Sequence, residues 1–169
     1  ALARSMQHTK EIKGANIFNN ATTTSTGGDG QPLLSGSHPL GGGGTASNIL
    51  GTPADLSETS LETLLVQIST AVDDRSIPVA LSGRKLAVPP GLIFIAERII
   101  KSNLRPGTAD NDINAMRNMG MIPEGVVVNQ RFTLPDQYFL LTDCPDGMKH
   151  FVRAPIKKAV EGDFETGNL

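Results

Sequence analysis

A mixed α+β domain is the fold class that this sequence predicts, on three observations. Asp55 to Val72 repeats apolar residues at helical spacing, and Gly91 to Ser102 is an apolar run opened by Pro89-Pro90. Val126 to Leu134, Tyr138 to Thr142 and Lys149 to Ala154 are rich in strand formers and are separated by Pro135-Asp136 and Pro145-Asp146-Gly147 turns. A length of 169 residues with 38% hydrophobic and 19% charged residues suits one such domain with a thin core.

Taken in order, Ala1 to Asn20 has good helix formers and one breaker, Gly14, but its apolar residues make only a sparse stripe. The helix opens without a capping residue or an initiator Met, so the polypeptide is expected to be part of something larger. Thr22 to Asn48 follows, in which 17 of 27 positions are Gly, Ser or Thr and Gly41 to Gly44 stand in succession. Ordering so many glycines is entropically costly, so a loop that is mobile in the isolated chain is expected.

The next helix is the clearest. Leu61, Leu64, Leu65, Ile68, Ala71 and Val72 fall on one stripe, and Asp55 with Glu58, or Thr59 with Glu62, has capping-box spacing. Burying its large side chains favours docking by roughly 10 kcal/mol before entropy. Residues 73 to 78 should end it. Lys85 to Val88 reads as a short strand, and the helix after Pro89-Pro90 is apolar nearly all round, so cover on more than one side is expected. Arg105 to Pro123 reads as irregular, the three strand-like runs come next, and Ile156 to Phe164 alternates like an edge strand without a visible partner.

Composition excludes several functions. Lys and Arg number 15 against 17 Asp and Glu, a net charge of −2, which gives no whole-chain attraction to nucleic acid or anionic membrane. No run approaches the ~18 apolar residues of a membrane span, and residues 1 to 20 do not read as a signal peptide. The single cysteine, Cys144, allows no internal disulfide.

Searches for chemistry return little. Gly41 to Gly44 lacks the Lys-Ser/Thr of a phosphate loop. Asp110, Asp112 and Asn114 match the first EF-hand ligands, but Ala115 stands where glycine is needed and Met121 where the bidentate glutamate belongs. Local turn bonding explains that polar cluster better. His8, His38 and His150 have no zinc spacing, so no metal, cofactor or catalytic residue is assigned. Cys144 and His150 with Asp143 are the minimum for a small cysteine-dependent enzyme, retained only as the alternative.

A family resemblance is carried by an ordered string of segments: Ala3-Arg4-Ser5-Met6 with Thr9-Lys10-Glu11, Gly28-Asp29-Gly30-Gln31-Pro32-Leu33 and Ser37-His38-Pro39-Leu40. Thr45-Ala46-Ser47-Asn48, Asp55-Leu56-Ser57, Leu86-Ala87-Val88-Pro89-Pro90 and Arg105-Pro106-Gly107-Thr108-Ala109-Asp110-Asn111-Asp112-Ile113-Asn114 continue it. Over nearly the whole chain the string resembles the major capsid (head) protein of tailed bacteriophages and prophages, with the Hong Kong 97-like fold. The Asp-Gly-Gln-Pro and His-Pro pieces are also similar to Mu-type head subunits.

The resemblance implies that residues 1–21 are the end of the peripheral-domain spine helix and 22–54 a Gly/Ser/Thr-rich loop. Residues 55–155 would be the axial domain near the capsomer centre, and 156–169 the start of a return strand to the peripheral domain. It implies a structural protein, not an enzyme, that assembles with copies of itself into pentamers, hexamers and a shell around phage DNA. The shell would touch packaged DNA only weakly and without sequence preference, and no membrane is involved. The place is the virion capsid, assembled in the bacterial host cytoplasm. Some family members crosslink Lys to Asn, but the regions that supply those groups have no match here. Arg105, Asp110, Asp112 and Asn114 are the expected subunit-contact residues. A compartment-forming shell protein of the same fold, enclosing protein cargo, is a further alternative.

Overall fold

The computed structural model of the chain describes residues 2–24, 27–105, 112–145 and 147–155. Helix α1 spans Leu2–Asn19, and a small antiparallel pair, β1 (His38–Pro39) and β2 (Thr45–Ala46), follows. Then come α2 (Glu58–Ser69), β3 (Gly83–Val88), a 3-10 turn over Pro90–Leu92, α3 (Ile93–Lys101), α4 (Ala115–Asn118), β4 (Val126–Val128) and β5 (Phe139–Thr142). The α+β expectation holds.

Strand β3 is the centre of a three-stranded sheet, parallel to β4 on one side and antiparallel to β5 on the other. A parallel neighbour requires a crossover, and α3 and α4 supply it. Because side chains alternate along a strand, β3 serves two cores at once. Leu86 and Val88 point to one face and pack with Leu61 and Leu65 of α2, Ala96 and Ile99 of α3, and Met116 of α4. Ala87 points to the other face, where its cross-strand partner Phe139 meets Ala21, Phe18 and Phe132. Three of the six phenylalanines thus form one cluster, with ring centroids 5.1 to 5.7 Å apart.

Several local expectations are corrected. Helix α2 begins with a capping box, but its members are Ser57 and Ser60: the Ser60 amide donates to Ser57 Oγ at 3.1 Å and the Ser57 amide to Ser60 Oγ at 2.9 Å. A serine hydroxyl at the third position does the work assigned to a glutamate, which leaves Glu58 for an ion pair. The helix stops at Ser69, before Val72, because Asp73 Oδ1 accepts from the amides of Arg75 and Ile77 and folds 70–79 into a turn. Strand β4 ends at Val128, and the side chain of Asn129 accepts from the Arg131 amide to make the bend. Within 105–123, expected to be irregular, α4 is present.

Among the described residues, helix α3 is covered on one side only. Ala96 and Ile99 are buried, but Phe94 is 76% exposed. No described residue of Lys149 to Ala154 belongs to a strand, and Phe151 is 83% exposed. The edge strand expected over 156–164 lies outside the described residues.

The Gly-rich stretch, too, is more than a loop outside the core. Leu33 and Leu34 pack on the Phe139 cluster, the Leu34 amide donates to the Ala21 carbonyl, and Asn48 bridges back to Leu33 and Ser35. Gly41 to Gly44 form the turn between β1 and β2. Gly43 and Gly44 have φ of 93° and 89°, and a Cβ on Gly42 would lie 2.8 Å from the Asp74 carbonyl. Turn conformation and close packing therefore account for glycine in the tract.

Candidate functional site

Of the residues singled out in 105–114, Arg105, Asp112 and Asn114 are described and lie between α3 and α4 in sequence. Arg105 Nε donates to Glu58 Oε2 at 2.9 Å, tying this stretch to the first turn of α2. The hydrogen bond donated to Glu58 raises the proton affinity of the Arg105 guanidinium above its ordinary value. The Arg105 amide donates to the Asp112 carbonyl at 2.9 Å, and Leu104 pairs with Ile113 in an antiparallel bridge. Asp112 and Ile113 are exposed, and Asp110 lies outside the described residues.

Asn114 has a different setting. Its side chain is 0% exposed and caps α4, accepting from the Arg117 amide at 3.2 Å. Its Nδ2 donates to the Ile99 carbonyl at 2.6 Å and lies 3.4 Å from Ser102 Oγ. All of these partners are inside the chain, so Asn114 joins α3 to α4 and presents no side-chain group to a neighbour.

The alternative chemistry finds no support. Cys144 and His150 are both exposed, and among the described residues no hydrogen bond joins them. Asp143 instead accepts from the Ser82 amide at 2.8 Å and pairs with Arg84 at 3.5 Å. The Ser82 amide is the main cause that holds the Asp143 carboxyl below the usual range. Among the described residues no group of three His, Cys, Asp or Glu could hold a metal ion, and no helix is long and apolar enough to cross a membrane.

Two polar constellations escape sequence reasoning. Asp29 Oδ2 and His38 Nδ1 are hydrogen-bonded at 2.6 Å, and this bond is the largest cause that lowers the Asp29 carboxyl. Arg131 pairs with Glu11 and lies 3.2 Å from His8 Nδ1, while its carbonyl accepts from Asn19 Nδ2 at 3.0 Å. These bonds, with Thr133 donating to Asn19 Oδ1, fasten α1 beside the aromatic cluster. More than a hundred residues separate Arg131 from its partners on α1, so no local motif announces that second constellation.

What the surface offers is apolar area. Phe94, Ile113, Met119 and Phe151 are each more than two-thirds exposed, and Met6, Ile12 and Ile17 leave apolar groups open along α1. Contiguous patches of such side chains mark surfaces that meet other chains, whereas single ones are ordinary.

That surface and the α+β core agree with the comparison to known families. The sequence profile of a family described as phage capsid protein matches residues 1–168. The chain belongs to the phage capsid protein family, a family of structural proteins, and its implied place is the capsid of the virion. No curated protein and no solved structure matches the chain.

Proposed function

We propose that the chain is a major capsid subunit that associates with copies of itself into pentamers and hexamers, and these into an icosahedral shell around phage DNA. The observation that carries this reading is the family match over residues 1–168, nearly the whole chain. The exposed apolar side chains agree with it, since many weak contacts repeated around a ring sum to a stable wall. A net charge of −2 suits a wall that touches packaged DNA weakly and does not bind it before assembly. Assembly takes place in the host cytoplasm.

Within the Hong Kong 97-like fold we assign α1 to the end of the spine helix, 55–155 to the axial domain and 156–169 to the return toward the peripheral domain. Support for the first assignment is that residues 4–14 of α1 are exposed throughout, as befits a helix whose cover comes from outside. Residues 105–114 contact adjacent subunits near the capsomer axis, with Arg105 and Asp112 as the described residues that carry the contact. Asp110 belongs to the same proposed contact, and Asn114 shapes it from within.

Sedimentation velocity of the purified chain over a range of concentrations, with electron microscopy of the heavy fractions, tests the reading. Large closed particles are the expected result, and a chain that stays monomeric throughout would refute it. Arg105→Ala with Asp112→Ala should lower the particle yield; an unchanged yield removes the contact assigned to 105–114.

A further inference from the structure

Two surface patches of the described residues differ in charge. On α3, Phe94, Arg98 and Lys101 recur at i, i+4 and i+7 and line one exposed face with Glu97. Arg98 Nε donates to the Phe94 carbonyl at 3.2 Å, and Lys101 pairs with Glu97 at 2.6 Å. Among the described residues Arg98 has no carboxylate within ion-pair distance. The patch therefore presents a large apolar ring beside an uncommitted cation.

The second patch is a groove between the approach to α2 and the approach to β5. Pro53 and Asp55 form one wall and Leu134, Pro135 and Asp136 the other, and Tyr138 Oη donates across to the Ala54 carbonyl at 3.2 Å. Leu134 is nearly half exposed. Asp55 and Asp136 are exposed and neither has a cation within ion-pair distance among the described residues. The groove thus offers apolar walls and two uncommitted carboxylates.

Either patch set against itself would oppose like charges, whereas set against each other they match. A contact between two different patches is heterologous, so it repeats head to tail and can close a ring. We propose that the α3 face of one copy of this chain seats in the Pro53–Asp136 groove of a second copy. Phe94 lies against Pro53, Leu134 and Pro135, and Arg98 faces Asp136 and Asp55. This contact rests on the self-assembly reading given above.

Charge reversal tests it in the chain itself. Arg98→Glu and Asp136→Arg, each at an exposed position, should raise the concentration needed for assembly about tenfold or more in sedimentation velocity. The double variant Arg98→Glu/Asp136→Arg restores the pair between neighbours and should assemble close to the unsubstituted chain. Phe94→Ser should weaken assembly without charge change. Circular dichroism and thermal unfolding confirm that each variant keeps the fold.

Single reversals that assemble normally overturn the contact, and so does a double variant no better than the singles. An unsubstituted chain that never assembles fails the underlying self-assembly reading instead, a result distinct from these two.

Discussion

Replacing Asn114 by aspartate changes one side-chain group and leaves the helix-capping oxygen in place. At an ordinary exposed helix start the exchange is nearly neutral, since Asn and Asp cap about equally well. Here the other half of the amide is in use: Nδ2 donates to the Ile99 carbonyl at 2.6 Å in a site that is 0% exposed. That carbonyl belongs to the last turn of α3, where no helical amide follows to bond it. Asn114→Ala removes the cap, about 1 kcal/mol, and leaves a buried carbonyl unpaired, about 1 to 3 kcal/mol, so about 2 to 4 kcal/mol in all. Asn114→Asp keeps the cap but sets a carboxylate oxygen against the Ile99 oxygen in a dry site, so it should cost about 3 kcal/mol or more. Urea unfolding at pH 7 measures both. The new carboxyl, buried beside an acceptor, should have a raised pKa, so the penalty shrinks on acidification, as the protonated form can donate. An Asn114→Asp chain as stable as the original at neutral pH would refute the argument and return Asn114 to the subunit-contact role that the family resemblance implies.

Two glycines should respond to alanine with opposite signs. A Cβ on Gly83 would lie 2.7 Å from Leu65 Cδ2 in the core between β3 and α2, so Gly83→Ala should lower stability by about 1 to 3 kcal/mol in urea unfolding. A Cβ on Gly14 meets nothing within 4 Å, so Gly14→Ala should stabilise α1 by about 1 kcal/mol, read as slower amide exchange along residues 4–14. Asp143 supplies a pH dependence. Because its folded carboxyl is held below the usual range, the unfolded chain binds the proton first as pH falls, so its stabilisation is complete above about pH 4 and is lost on further acidification. Asp143→Asn should flatten that acid limb of the urea midpoint against pH, and an unchanged limb would discount the bond to the Ser82 amide.

The parts of the fold legible in the sequence are those set by a period. The α2 stripe, the apolar run after Pro89-Pro90 and strands β3 and β5 are all where spacing puts them, because burial of one face acts on every residue of the element. Boundaries were not legible, since they depend on single polar side chains such as Ser60, Asp73 and Asn129, which serve equally well in several local patterns. Of the candidate contact residues, Asn114 looks like Asp112 in sequence. Only the folded chain shows that Asn114 is enclosed by the end of α3 while Asp112 faces out.

Helix α3 carries the same lesson to the level of function. Its composition asks for cover on more than one side, yet the described residues cover only the face of Ala96 and Ile99. In a protein that works alone, an exposed phenylalanine beside an exposed arginine confers little packing energy and invites unwanted association. In a capsid protein the same face is useful, because the missing cover can come from the next subunit. On the proposed contact, the apolar excess of α3 and the acidic groove at the approach to α2 would be two halves of one requirement, distributed over neighbouring copies. A face completed in this way would need to be only weakly adhesive: each subunit of the proposed ring would use both patches, so modest affinity per contact would hold the ring while still letting misplaced subunits dissociate.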